Sequence, residues 1–182
     1  INEVLDTSVS VIDGNVETKS EVGTIEFKNV SFKYPDAEEY VLKNISFKAN
    51  KGDTVAFIGS TGSGKSTLVN LIVRFYDVTD GEILIDGVNI KDYKLEYLYK
   101  LIGYVPQRAV LFNGTVNSNI SYGEAMEKIS DKKIVEASKV AQADEFISKM
   151  DDGYESHIAQ GGTNISGGQK QRIAISRAIA KN

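Results

Sequence analysis

The chain has 182 residues, of which 41% are hydrophobic and 25% are charged, as expected of a domain that folds around its own core. Its net charge of −4 argues against a nucleic-acid-binding surface, and the absence of cysteine excludes disulfides and cysteine metal sites. No stretch approaches the ~20 apolar residues that a membrane helix needs, and residues 1–15 lack the Lys and Arg of a secretory signal. Any membrane role is therefore expected to belong to another chain or to another part of a longer protein.

The chain opens with a polar segment that precedes two strands. Residues 1–23 show no sustained hydrophobic period and predict a linker. Alternating apolar residues predict a strand over residues 25–32, with a bulge between Phe27 and Val30. A second strand is predicted over residues 45–49.

A third strand and a helix flank a glycine-rich loop. Residues 54–58 form a continuous apolar run, which is typical of a short strand buried on both faces. A helix is predicted from Lys65 to about Tyr76. Further on, residues 82–85 and 88–90 predict a hairpin, because the intervening Asp86-Gly87 supplies the positive φ of a tight turn.

The second half of the chain is predicted to be mostly helical. A short helix is expected over residues 95–100, and residues 102–105 predict another buried strand. Short helices follow between residues 115 and 150, with a turn at Tyr122-Gly123. The last helix begins near Gly168 and is apolar on more than one side, so it is expected to be buried by another element.

The glycine-rich loop fits the phosphate-loop pattern G-x-x-x-x-G-K-[ST] without a mismatch. Glycines allow backbone N–H groups to turn towards phosphates, and the helix that follows directs its positive end at the same charge. Lys65 would reach the β- and γ-phosphates, and the Ser66 hydroxyl would take one Mg²⁺ position. The alternative is an accidental match, but the strand before and the helix after favour nucleotide binding. The predicted phosphate ligands are Gly59, Ser60, Thr61, Gly62, Ser63, Gly64, Lys65 and Ser66.

Phosphate-loop enzymes also use an Asp that follows a buried strand to help hold Mg²⁺. Asp86 fits this description superficially, since residues 83–85 are apolar. Gly87 and a second strand follow at once, so Asp86 is predicted to be a turn residue instead. No other apolar run of four or more residues ends in Asp. The carboxylates for hydrolysis are therefore expected to lie outside this chain.

A second motif identifies a family. Residues 164–172 read Asn-Ile-Ser-Gly-Gly-Gln-Lys-Gln-Arg, and together with the phosphate loop they resemble the ATP-binding cassette family, whose signature is Leu-Ser-Gly-Gly-Gln. The resemblance implies an α/β phosphate-loop NTPase core with an antiparallel β subdomain and a helical signature subdomain. Residues 24–182 would form this nucleotide-binding domain in part, with a core sheet that is incomplete at the C-terminus. It further implies that the signature contacts the γ-phosphate held by the opposite subunit of a head-to-tail dimer, through Ser166, Gly167, Gly168 and Gln169.

The resemblance also assigns roles to residues that are unremarkable by themselves. It implies that Tyr34 stacks on adenine, that Thr67 helps to bind the α-phosphate, and that Gln107 contacts the metal and the attacking water. Residues 111–120 are similar to the corresponding segment of exporters, and residues 1–6 resemble the link from a last membrane helix. The implied cofactors are ATP and Mg²⁺. The implied partners are a second nucleotide-binding domain and a transmembrane domain, at the cytoplasmic face of a membrane.

Three readings of function remain open. The first is the ATPase domain of an exporter, and the second is a soluble cassette protein that acts on the ribosome or on DNA. The third is a regulatory, non-hydrolysing module, such as the degenerate half of a heterodimeric exporter. Residues 160–162 support this last idea, because they read Gln-Gly-Gly where exporters often have Glu-Arg-Gly.

The resemblance carries two further expectations. The family's Walker B Asp, catalytic Glu, D-loop and switch His would all follow residue 182, so the fragment is expected to bind nucleotide but to hydrolyse it poorly. His157 precedes the signature and is predicted to be a surface residue. Without the Walker B strand, an exposed apolar face is expected, formed by the strand over residues 54–58 together with Ile173, Ile175 and Ile179.

Overall fold

The structure is a computed structural model that describes residues 10–17, 23–123 and 129–181. The chain divides into an N-terminal unit, up to Tyr99, and a C-terminal unit that starts at Lys100. The predicted membrane link at residues 1–6 lies outside the described residues. Within the part of the chain that is described, no helix has both the length and the apolar character to cross a membrane.

The N-terminal unit is built on a four-stranded antiparallel sheet. In spatial order its strands are β2 (Leu42–Ala49), β1 (Ile25–Phe32), β3 (Asp80–Ile85) and β4 (Val88–Asn89). Phe27, Val30 and Phe32 of β1 are buried, and the ring of Phe27 stacks on that of Phe47 with centroids 4.5 Å apart. The first strand and the hairpin are thus confirmed, and β2 starts three residues earlier than predicted.

Local backbone geometry explains the bulge and the hairpin turn. The register of β1 against β2 shifts between Phe27 and Val30, as predicted, and Asn29 has a φ of 49° there. In the turn between β3 and β4, Asp86 and Gly87 have φ angles of 53° and 79°. Two successive positive φ angles match the twist of the flanking strands, which is why Asp-Gly forms this hairpin.

Two helices complete the N-terminal unit. Helix α1 (Lys65–Ile72) ends four residues before the predicted Tyr76, because Arg74 takes a left-handed φ of 54° that the helix cannot continue. Helix α2 (Leu95–Leu101) runs to the boundary of the unit, and Leu98 on it is fully buried.

The predictions of buried strands at residues 54–58 and 102–105 are wrong. Both segments lack strand pairing in the described chain, and Val55, Ile58 and Val105 are 45%, 96% and 37% exposed. A strand needs a hydrogen-bonded neighbour, and the described residues place none beside either segment. The apolar sequence of these two segments is therefore not sufficient to make them strands.

The C-terminal unit is a helical cluster around one core. Its helices are α3 (Val116–Ile120), α4 (Asp131–Val140), α5 (Asp144–Ile147) and α6 (Gly167–Lys181), and β5 (Gly114–Thr115) pairs with β6 (His157–Ile158). Helix α6 packs on α3 and α4. The predicted exposed face is therefore wrong on α6, since Ile173 is fully buried and Ile179 packs on the core. The other half of that face is exposed as predicted, at Val55 and Ile58.

One half-buried phenol in this unit, that of Tyr154, predicts a loss of stability at alkaline pH. Burial raises the pKa of Tyr154 from 10.0 to about 12. A hydrogen bond with Ser138 acts against this shift, and the hydrogen bond and charge of Asp144 add to it. A raised pKa in the folded state stabilises the fold fully below pH 10 and loses that stabilisation as the pH rises through about 12. Urea unfolding between pH 9 and 12 should therefore show a steeper loss of stability in the wild type than in Tyr154→Phe. Parallel pH profiles for the two proteins would contradict this.

Candidate nucleotide-binding site

The glycine-rich loop, residues 59–64, wraps the start of α1. Gly62 and Gly64 have φ angles of 82° and 86°, and Gly64 is the N-cap of the helix. A Cβ on Gly64 would lie 2.8 Å from a methyl carbon of Leu42, so both conformation and space require glycine at this position. A Cβ on Gly62 would meet nothing within 4 Å. The loop is therefore tightly packed at its base and open at its tip.

The side chain of Lys65 lies inside this loop. Its ammonium donates to the carbonyl oxygens of Gly59 and Ser60, at 2.8 and 2.6 Å, and to the Ser63 hydroxyl at 3.1 Å. All three acceptors are neutral, so they hold the cation without cancelling its charge. An anion at the loop would supply the missing negative charge, and α1 directs its N-terminal N–H groups to the same place.

Thr67 and Tyr34 join the loop to the sheet. The Tyr34 hydroxyl and the Thr67 hydroxyl are 2.9 Å apart and hydrogen-bonded, and Thr67 is buried while Ser66 is exposed. The ring of Tyr34 meets the rings of Phe32 and Tyr76 edge-on. These contacts fix the orientation of Tyr34 relative to the loop.

A cavity of about 500 Å³ lies beside Tyr34, within the usual size range of small-molecule sites. Aromatic and acidic side chains line it, and so do residues from the polar segment before β1. Its lining is Ser10, Val11, Phe32, Lys33, Tyr34, Pro35, Asp36, Ala37, Glu38, Tyr76, Asp77 and Thr79.

The signature motif begins helix α6 with a reciprocal cap. The Ser166 hydroxyl accepts from the Gln169 N–H at 3.3 Å, and the Gln169 side chain accepts from the Ser166 N–H at 2.9 Å. This arrangement is a capping box, which satisfies two donors that a helix start leaves unpaired. A Cβ on Gly167 or Gly168 would meet nothing within 4 Å. The helix start is thus rigid, exposed and open to a ligand.

We expect the cap to stabilise α6 measurably. Ser166→Ala should lower the free energy of unfolding by about 1 kcal/mol, because it removes the acceptor for the Gln169 N–H. Ser166→Asn, another good capping residue, should recover most of that loss. Urea unfolding followed by circular dichroism measures both variants, and an unchanged midpoint in Ser166→Ala would count against a stabilising cap.

Gln107 lies in the unpaired segment before β5 and is exposed. Next to it, the carbonyl of Pro106 accepts from the Gln171 side chain of α6 at 3.3 Å. The segment that carries Gln107 is therefore fastened to the helix that carries the signature, and both lie in the C-terminal unit.

Two polar residues in this unit, the buried Asn119 and the half-buried Arg177, had no signal in the sequence. Asn119 is 1% exposed. Its side-chain oxygen accepts from the Phe112 N–H at 2.8 Å, and its side-chain nitrogen donates to the Phe112 carbonyl at 2.9 Å. Arg177 donates to the carbonyls of Asn119 and Val110 and lies over the stacked rings of Phe112 and Tyr122. Burial lowers the pKa of Arg177. Only the tertiary contacts distinguish these side chains from ordinary surface residues.

Other predicted residues have structural explanations. The Asp86 carboxylate accepts from the N–H of Thr24 at 2.6 Å, as a turn residue would, and His157 is exposed and binds Asn113. Gly161 and Gly162 both have positive φ, 68° and 65°, so the backbone itself favours glycine in that stretch. The idea of a degenerate site drawn from that stretch stays a prediction.

A divalent cation would find few ligands in either unit by itself. The described residues contain no cluster of three or more His, Cys, Asp or Glu side chains that could hold a metal. The hydroxyl of Ser66, exposed at the start of α1, is a hard oxygen ligand of the kind that Mg²⁺ accepts. Such a site fits a metal that arrives with phosphate oxygens rather than one that is held by protein alone.

A glycine-rich loop of the phosphate-loop pattern at a helix start, an exposed serine hydroxyl and a nearby aromatic cavity are together typical of a nucleotide-binding domain of the phosphate-loop class. The family model described as "ABC transporter" matches residues 42–182. The chain belongs to this family, and membership implies ATP binding.

The relatives include exporters of known architecture. The chain is 47% identical over 179 residues to an ATP-dependent lipid A-core flippase of Haemophilus influenzae, covering 98% of this chain and 30% of the flippase. It is 45% identical over 181 residues to ABC transporter B family member 14 of Arabidopsis thaliana, covering 100% of this chain and 14% of that protein. A bacterial Atm1-family ABC exporter solved with ATP bound matches the whole chain with a TM-score of 0.89 and 36% identity, over 32% of its own length. The chain thus spans about a third or less of these relatives.

Proposed function

We propose that this chain binds Mg-ATP at the phosphate loop and, within the complete protein, couples ATP binding and hydrolysis to export across a membrane. The observation that carries the proposal is the Lys65 ammonium, which is held in the loop by three neutral oxygens. A triphosphate would replace some of these contacts by charge-assisted hydrogen bonds, which are roughly twice as strong. The loop therefore holds a positive charge at the position where the phosphates would bind.

We assign the remaining parts of the nucleotide to residues of the same unit. Ser66 would bind Mg²⁺, Thr67 would support the α-phosphate, and the cavity beside Tyr34 would receive the base. The backbone of Gly59, Ser60, Thr61, Gly62, Ser63 and Gly64 would surround the phosphates. This assignment places a whole ATP on the N-terminal unit.

The signature motif at the start of α6 would act on a second molecule. The open glycines at the start of α6 suit a γ-phosphate held by another nucleotide-binding domain, in a head-to-tail dimer. Gln107 would contact the metal and the attacking water during hydrolysis. The identities to a flippase and to exporters support a transmembrane domain as the other partner, with this domain at the cytoplasmic face of the membrane.

Calorimetric titration with Mg-ATP, Mg-ADP and adenosine tests the nucleotide site. Affinity should fall in that order, because most of the binding energy is assigned to the phosphates. Equal affinity for adenosine and Mg-ATP would overturn the assignment. For the transport role, the complete protein in proteoliposomes should hydrolyse ATP, whereas ribosome or DNA binding without membrane association would overturn it.

A further inference from the structure

Residues 10–17, here called the lead-in strap, are fastened to the N-terminal unit although their sequence is polar and irregular. Two N–H groups of the strap, at residues 15 and 16, donate to the carbonyl of Asp92, at 2.9 and 2.8 Å. The Asp13 carboxylate accepts from the Leu95 N–H at 2.6 Å. A Cβ on Gly14 would lie 2.2 Å from the Asp92 oxygen, so only glycine allows this approach. The strap therefore has one defined path.

This path brings the strap to the cavity beside Tyr34. Ser10 and Val11 line the cavity, and the next residue, Ile12, presents its carbonyl to Arg74. The strap is thus a wall of the cavity, and the Ile12 contact with Arg74 is the anchor next to Ser10 and Val11.

Arg74 holds two walls of the cavity at once. Its side chain is 2% exposed, its Nη2 donates to the Ile12 carbonyl at 2.7 Å, and its Nε donates to Oδ1 of Asp77 at 2.9 Å. Asp77 itself lines the cavity. The third nitrogen, Nη1, is buried and has no hydrogen-bond partner among the described residues. A buried guanidinium with an unpaired donor is costly, so this arrangement depends on both of the contacts that Arg74 does make.

The cavity lining favours a base that donates hydrogen bonds. Three carboxylates line it, those of Asp36, Glu38 and Asp77, and ionised carboxylates only accept. The lining cation Lys33 is directed at the ring of Tyr40, with Nζ 5.8 Å from the ring centroid. An exocyclic amino group, as on adenine, suits such walls better than a carbonyl oxygen.

We propose that Arg74 is a positioning residue for the nucleotide base, and that it sets base preference by fixing the strap and Asp77 as two walls of the cavity. This inference rests on the proposed nucleotide site. Its distinctive consequence is that Arg74 affects which base is preferred, whereas the phosphate loop affects all nucleotides alike.

The test compares Mg-ATP with Mg-ITP, whose base has a carbonyl in place of the amino group and a hydrogen on the adjacent ring nitrogen. The wild-type chain should prefer ATP by about tenfold, as expected for one hydrogen bond to a charged acceptor. In Arg74→Met the preference should fall to about twofold or less, while ITP affinity stays within about threefold of wild type. Arg74→Lys, which retains the charge but lacks the two-pronged geometry, should be intermediate. Lys91→Met, which removes an exposed cation of the same unit, should retain the full preference.

Thermal unfolding and a second substitution keep the result interpretable. A purely structural Arg74 would lower the melting temperature and weaken both nucleotides equally, and that result would overturn the inference. If Arg74→Met fails to fold, Asp77→Asn is the deciding variant. The asparagine oxygen can still accept a hydrogen bond from Arg74, but the asparagine NH₂ group donates, so this wall of the cavity no longer offers acceptors alone. A tenfold preference retained in Asp77→Asn would overturn the inference. Failure of the wild type to bind either nucleotide would instead refute the nucleotide site.

Discussion

Replacing Lys65 by methionine is expected to weaken Mg-ATP binding by about 100-fold, the equivalent of two charge-assisted hydrogen bonds. Methionine has a similar length and no charge, so the loop loses its cation with little loss of volume. The acceptors at Gly59 and Ser60 are exposed and can bind water instead. The free energy of unfolding should therefore change by less than about 1 kcal/mol.

Calorimetric titration of Lys65→Met beside Lys48→Met measures this effect. Lys48 is exposed on β2, so its variant removes the same charge from the same unit away from the loop. Lys48→Met should bind Mg-ATP as the wild type does. Similar affinities in the two variants would mean that net charge, and not the loop, attracts the nucleotide.

Local signals allowed the phosphate loop, the hairpin and the start of the last helix to be predicted from sequence. The turn at Asp86-Gly87 and the cap at Ser166 involve residues at most three positions apart, so the chain encodes them without distant partners. The bulge after Phe27 is likewise visible as a break in the alternation of β1.

The wrong predictions of strand pairing and of side-chain exposure concern contacts between residues that are distant in sequence. Residues 54–58 are apolar like a buried strand, but pairing requires a neighbour that local sequence does not specify. Ile173 was predicted to be exposed, yet packing of α6 on α3 and α4 buries it. Arg74 and Arg177 carry no signal in the sequence, and only contacts across 62 and 58 positions show that Arg74 is buried and that Arg177 is half-buried.

Asn119→Ala is expected to lower the free energy of unfolding of the C-terminal unit by about 3 kcal/mol. The side-chain oxygen accepts from the Phe112 N–H at 2.8 Å, and the side-chain nitrogen donates to the carbonyls of Phe112 and Thr115 at 2.9 and 3.0 Å. Because Asn119 is 1% exposed, removing its amide leaves these backbone groups without partners where water has little access. Each such group costs about 1–3 kcal/mol, of which the greater helix propensity of alanine offsets a small part.

Asn117→Ala is the matched control, since it makes the same change on helix α3, two positions before Asn119. Asn117 donates to the carboxylates of Asp131 and Glu155 at 3.3 and 3.1 Å, in exposed surroundings where such contacts contribute less than about 1 kcal/mol. Urea unfolding, with hydrogen exchange to separate the two units, measures both variants.

Because Asn119 and the phosphate loop belong to different units, Asn119→Ala should destabilise the fold and leave Mg-ATP affinity within about threefold of wild type. That pattern is the reverse of the one expected for Lys65→Met, so the pair separates what supports the fold from what binds the nucleotide. Equal stability of the two asparagine variants would show that the contacts of Asn119 with Phe112 are dispensable.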